Sequence, residues 1–508
     1  MSFIFDFWRM YPALLVGLVS LLTCAMALAW HPIYLVVLSG LLLPFLGKNK
    51  ERKIVVYAIL IGGIVFALAC FKAGGVDLKQ AVEGEGVFQV ENLSIVHSPF
   101  NRSYLYKGVL RDFQTREGKK YPPLSCSIFH SLNHPPLADR DYRIQGSLTQ
   151  RQRQSFCLKP KRGQKWKALD NTFRWAQWRC DAKKRVSSYI KHHLGDPASA
   201  TFLSALVTGD VEERTLRLDF SRLGLQHILA ISGFHFSFCA FILHFLLRPF
   251  FSFKVRIPLL LLSLACYFFF LGKAPSILRA FCAIAIFLSA QWCNRRTSGL
   301  NALGAALIFE LLFDPHVIEQ LSFQLSFLCT GALLLFSRCA YSFLQLLFPE
   351  RSPKELSTLP LLDRHGYAAC RWLRKTLSLN CAVHLFALPV LLFLFHRFPL
   401  LSLFYNLFFP FCASLSLLLF VCALCTSILP PLSAIFHFLN ALWTSWLLQL
   451  TGNPPAYFDI VWRGDFLSFP VIIAIVLFLL YLGMWLHLRI GNEVNIFGNR
   501  ARHKDSFP

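Results

Sequence analysis

The chain has 508 residues and a mass of 58.0 kDa, but 55% of its residues are hydrophobic, only 15% are charged, 51 are Phe, and mean hydropathy is +0.50. No soluble fold of that length hides so much apolar side chain, so soluble enzymes and soluble binding modules are excluded and a polytopic α-helical membrane protein is expected. Lys and Arg number 51 against 27 Asp and Glu, a formal net charge of +24, which cytoplasmic loops, a polyanionic partner or both would explain.

Apolar windows open the chain at Ala13–Trp30, Ile33–Leu46 and Ile54–Phe71. The first carries Arg9 before it and Ala27-Leu28-Ala29 at its end, as a signal peptide would, but two more windows follow at once, so three N-terminal spans (1–71) are expected. From Lys72 to about Thr215 the chain turns polar. Within it Gly86–Val96, Ser103–Phe113, Leu124–Phe129, Asp141–Gln150 and Ser155–Lys159 alternate loosely and are punctuated by Pro122-Pro123, Pro135-Pro136 and Gly118. Five short strands suit a small exported barrel resembling the OB-fold (72–165). Such a barrel serves either as a grip on single-stranded nucleic acid or as a scaffold. Cys126 and Cys157 lie in it, and a disulfide between them is expected in an oxidising compartment. The Cys422-Ala-Leu-Cys425 pair sits inside an apolar window and reads as structural.

Residues 166–215 read as a basic amphipathic helix and linker. From Arg151 to Lys191 the chain carries thirteen Lys or Arg against Asp170 and Asp181. Asp170 is expected to cap a helix running to about Leu194, with Phe173, Ala176, Cys180 and Val186 on its apolar face. Arg174, Lys183, Lys184 and Lys191 would supply charge and Trp166, Trp175 and Trp178 aromatic contact, either to an anionic bilayer surface or to nucleic-acid phosphates. His192, His193 and Asp196 lack a further ligand cluster, and neither a metal nor a cofactor is expected.

Apolar windows return at about 224–247, 257–271, 277–292, 300–313, 321–337, 377–396, 401–428, 430–450 and 469–488, giving about twelve spans in all and a core over 216–490. Lys48–Lys53, Arg248–Arg256, Arg295-Arg296, the stretch Arg338–Lys375 and the tail 491–508 carry the basic loops, and the loops between them are poor in Lys and Arg. That alternation puts both termini in the cytoplasm and 72–215 outside. One window breaks the apolar rule. His227-Ile-Leu-Ala-Ile-Ser232-Gly233-Phe-His235 brings two imidazoles and a helix-breaking Ser-Gly into membrane depth, where polar groups face a protein interior or a water-filled path.

This segment resembles the ComEC family of bacterial competence proteins, whose pattern has Gly-Asp and, further on, His-Leu-Leu-Ala-Ile-Ser-Gly-Leu-His; Gly209-Asp210 and His227–His235 match it. Pro275-Ser-Ile-Leu-Arg279-Ala, Asp314-Pro315, Ser322-Phe-Gln324-Leu-Ser326-Phe and Asn406-Leu-Phe-Phe-Pro410 resemble later family elements in the same order, with Ser322 in place of a glycine. The resemblance implies a channel, not an enzyme, that moves single-stranded transforming DNA across the bacterial cytoplasmic (inner) membrane. His227, His235, Asn301, Gln324, Ser326 and Asn406 would line a weakly polar path or bond helix to helix. Longer family members carry a metallo-β-lactamase-like domain. This chain ends at Pro508 and contains no His-x-His, so a separate nuclease and a separate cytoplasmic ATP-driven motor are expected, alongside membrane lipids and a possible second copy, as partners. The alternative is a small-molecule or ion transporter, or a membrane enzyme, built on the same polar core.

Overall fold

The computed structural model describes residues 2–42, 45, 52–72, 78, 80–98, 101–130, 135–152, 155–161, 163, 165–170, 172–211, 213–229, 233–272, 274–295, 298–452, 460–464 and 468–504. In chain order the elements are α1 (Ser2–Met10), α2 (Pro12–Leu28), α3 (Pro32–Leu42) and α4 (Arg52–Lys72), then β1 (Val82–Ser98), β2 (Asn101–Thr115), β3 (Lys120–Tyr121), β4 (Leu124–His130), β5 (Asp141–Gln152), β6 (Ser155–Pro160) and β7 (Lys167–Ala168). Helices follow: α5 (Ala176–Leu194), α6 (Pro197–Thr208), α7 (Arg214–Arg222), α8 (Gln226–Leu229), α9 (Gly233–Leu247), α10 (Phe253–Leu271), α11 (Pro275–Trp292), α12 (Gly299–Phe313), α13 (Leu321–Leu347), α14 (Pro353–Thr358) and α15 (Leu361–Phe395). The chain closes with β8 (Arg397–Pro399), α16 (Leu401–Cys425), α17 (Pro430–Gly452), β9 (Val461–Arg463) and α18 (Phe469–Lys504). Two compact units emerge, Met1–Cys70 with Cys282–Pro410 and Pro455–Pro508, and Phe71–Phe281 with Phe411–Pro454.

The second unit holds the barrel. Its strand order is β1-β2-β4-β6-β5, and β5 pairs back onto β1, which closes it. Every neighbour pair is antiparallel except β4–β6, where Cys126 faces Phe156 and Ser127 faces Cys157. Alternation along β4, with Leu124, Cys126 and Ile128 buried, follows from one face filling the barrel. Phe88, Tyr106, Leu110, Phe113, Leu148 and Leu158 form that core. A side chain at Gly108 would put its Cβ 1.9 Å from the Gln89 carbonyl, so only glycine lets β1 and β2 cross beside the β1 irregularity at Val90/Asn92.

The expected disulfide is not formed. Cys126 and Cys157 are both free thiols, buried on adjacent strands one register position apart. Burial pushes the Cys126 thiol up to about 12, so it is protonated at neutral pH and packs as a small apolar group.

In the first unit, α2 crosses α12 closely. A Cβ on Gly304 would sit 2.3 Å from the Ala13 carbonyl oxygen, and one on Gly17 would sit 2.9 Å from that of Gly304. Small residues at such a crossing replace a hydrophobic drive that lipid cannot supply. α13 and α15 pack as a long hairpin. Arg374, 2% exposed, fastens its basic end with bonds to Tyr341 Oη (3.0 Å), Glu350 Oε1 (2.8 Å) and the Phe348 carbonyl.

Among the described residues six helices are long and apolar enough to span a bilayer: Lys53–Phe71, Phe253–Leu271, Leu321–Leu347, Leu361–Phe395, Leu401–Cys425 and Pro470–Ile490. Six shorter apolar helices, of 10–17 residues, include α2, α3, α6, α9 and α12. Six span-length helices and six shorter apolar ones thus stand beside the expected count of about twelve spans.

Candidate functional site

The signature begins at the end of α6. Gly209 caps that helix in a left-handed conformation, φ +75°, and donates its N–H to the Ala205 carbonyl. A residue with a Cβ is strained there. The turn aims Asp210 at α5, where Lys183 Nζ donates to its carboxylate at 3.2 Å.

That contact corrects the expected charge pattern of α5. Lys183 is 7% exposed and lies on the buried face with Ala176, Cys180, Ser187, Ile190 and Leu194. The helix starts at Ala176, not Asp170, because the preceding residues are held against the barrel. Arg174 donates its backbone N–H to Asp139 and two guanidinium bonds, at 2.6 and 2.9 Å, to Asp141, and those bonds hold its pKa above the ordinary value. Phe173, expected on the apolar face, is exposed. Trp166 is likewise no surface contact. Its ring packs edge-on at 5.1 Å from Tyr106 and 5.5 Å from Tyr142 and His130, against the barrel core. Lys184, Lys191, Trp175 and Trp178 do reach the surface, and both Trp rings lie on Phe269 of α10.

The His–Ser-Gly–His segment runs from α8 to the start of α9. α8 ends at Leu229 and α9 starts at Gly233, and Ser232 lies outside the described residues. His227 is exposed, whereas His235 is 3% exposed, packed in α9 beside buried Phe236. The two imidazoles are within electrostatic reach of each other. Arg279, 8% exposed on α11, approaches the start of α9: a Cβ built on Gly233 lies 3.4 Å from its Nη2. Pro275 opens α11. A buried imidazole and a buried guanidinium in apolar helices are costly to place, and such groups normally mark a path for something polar.

The remaining signature residues belong to the first unit. Asp314 caps a 3-10 turn, Pro315–Glu319, accepting from the His316 N–H at 3.2 Å. Gln324 is exposed and donates to the Ile318 carbonyl at 2.7 Å. The Ser326 carbonyl accepts from Thr330 Oγ1, and Asn406 is half-buried. Asn301 bonds helix to helix, donating to Met10 O and accepting from Ala13 N, both at 3.1 Å. Asp314, Asn301 and Gln324 thus each have a structural bond, and Asp314 and Gln324 are exposed.

Two features were missed in the sequence. Glu310, 2% exposed in α12, is a carboxylate inside an apolar helix. On α17 the residues Ser433, His437, Asn440, Thr444 and Thr451 form one buried stripe. Asn440 donates to the Ser416 carbonyl at 3.0 Å, Thr444 to Asn440 at 3.1 Å, and Ser416 and Thr444 share a bond at 3.1 Å. The i, i+3/i+4 spacing of those polar residues was the available signal. Among the described residues no group of three His, Cys, Asp or Glu is placed to hold a metal.

A family model described as Competence protein matches residues 206–489, more than half of the chain. The ComE operon protein 3 of Bacillus subtilis (strain 168) is 29% identical over 238 residues, which are 45% of this chain and 27% of that relative's length. No solved structure matches.

Proposed function

The chain belongs to the competence protein family, and from that premise we propose that it is a membrane channel admitting single-stranded DNA to the cytoplasm, with both termini inside and the barrel outside. The observation that carries this reading is the pair of buried ionisable groups, His235 and Arg279, in otherwise apolar helices. A pore for a polyanion needs polar walls that bind weakly enough for the strand to leave. One imidazole and one guanidinium meet that need better than a dense cationic ring. The closed five-stranded barrel, with its single parallel contact between β4 and β6, supports an OB-like reading for the exported part and hence a grip on the incoming strand.

His235→Ala and Arg279→Ala test it. Each is expected to lower arrival of labelled DNA in the cytoplasm by at least tenfold, with normal amounts of protein in the membrane and normal DNA binding at the cell surface. Wild-type internalisation by both variants would leave the buried pair a purely structural feature.

A further inference from the structure

We propose that α5 and α6 form a re-entrant hairpin dipping into the bilayer from the outer face, and that the polar stripe of α5 lines the aqueous path and meets the phosphates of the moving strand. The ligand rests on the channel reading above; the geometry does not.

The two faces of α5 come first. Its buried face is used up inside the protein. Ser187 bonds Ser204 of α6 at 3.3 Å, Lys183 bonds Asp210, and Tyr189 Oη lies 3.4 Å from His437 Nε2. Beyond Trp178 the exposed side consists of Arg185, Ser188, Lys191, His192 and His193. A helix lying on a membrane must offer lipid an apolar face. Beyond Trp178, α5 has none left.

Depth follows from its two ends. α5 starts at the end of α10 remote from Lys254 and Arg256, with Trp175 and Trp178 at 5.4 and 5.8 Å from Phe269. α6 returns to the same place, where Tyr267 Oη donates to the Val207 carbonyl. On the positive-inside alternation that end is outer. From there to His193 is about 27 Å of helix. His193 meets His437, which lies about 22 Å along α17 from Gly452. The loop after Gly452 is poor in Lys and Arg and reads as outer. The other side of α17 exposes Ile435, Phe438, Leu439, Leu442 and Trp446, as a lipid-facing helix does. His193 therefore lies most of the way through a hydrocarbon layer of about 30 Å. Charges at that depth persist only where they face water. Arg185, Ser188 and Lys191 or His192 recur about one turn apart, a spacing that hands a phosphate from one site to the next.

The test uses the full chain in its own membrane. Lys191→Cys and Ser427→Cys are labelled with a membrane-impermeant maleimide, read as the increment over the unsubstituted chain, with Lys119→Cys as an outer-surface reference. Position 191 is expected to label from outside at least tenfold more slowly than 119. A single-stranded oligothymidylate should slow labelling at 191 a further threefold or more and leave 119 unchanged. Position 427 should label only once the cytoplasmic side is opened. Labelling of 191 at the surface rate, or of 427 from outside, overturns the hairpin. Slow labelling at 191 with no protection, in a variant that still internalises DNA, overturns the phosphate contact. If the chain carries no DNA at all, the channel reading fails, while slow external labelling at 191 still registers the hairpin.

Discussion

Gly209 and Asp210 show what a short signature can hold in place. The glycine is needed because α6 ends on a left-handed residue, and the aspartate because that turn points it at Lys183. The pair couples the helix that follows the barrel to the start of the membrane core. Removing either partner leaves a largely buried charge, at a cost of roughly 1–3 kcal/mol. Lys183→Ala and Asp210→Ala should each lower the thermal unfolding midpoint of the purified protein, and Lys183→Asp combined with Asp210→Lys should recover most of the loss. If the double variant is as unstable as the sum of the singles, the two groups do not act as a pair.

At the scale of elements, strands were legible and helix faces were not. The five expected strands overlap β1, β2, β4, β5 and β6, because alternation and Pro/Gly punctuation are local signals. Their order and closure come from long-range pairing that no local pattern encodes. The face of α5 was misassigned because a lysine reads as solvent-facing until Asp210 is seen beside it. Its start was misplaced because Thr172 and Arg174 bond the barrel instead of capping a helix. Close packing was equally hidden. Gly304 looks permissive in sequence, yet its hydrogen faces the α2 backbone. Gly304→Ala should force α2 and α12 apart, a strain of about 1–3 kcal/mol. A lowered unfolding midpoint in detergent measures it, and an unchanged midpoint would mean the crossing is looser than 2.3 Å implies.

For the whole molecule, composition settled the membrane class, while the excess of positive charge has several separate origins. Part of it marks the basic loops, including the α13–α15 end that Arg374 fastens. Part is spent on fixed pairs such as Arg174 with Asp141 and Lys183 with Asp210. What remains exposed on α5 is a narrow stripe, not a broad patch. The buried imidazole at His235 was legible because a polar residue in an apolar window is conspicuous; Glu310 obeys the same rule and was overlooked. The proposed uptake of DNA would join these features. The most direct measurement is the arrival of labelled transforming DNA in the cytoplasm of cells lacking this chain. Internalisation should be abolished while DNA still binds at the cell surface, and re-expression of the chain should restore it. Unchanged internalisation in its absence would contradict a role as the DNA channel.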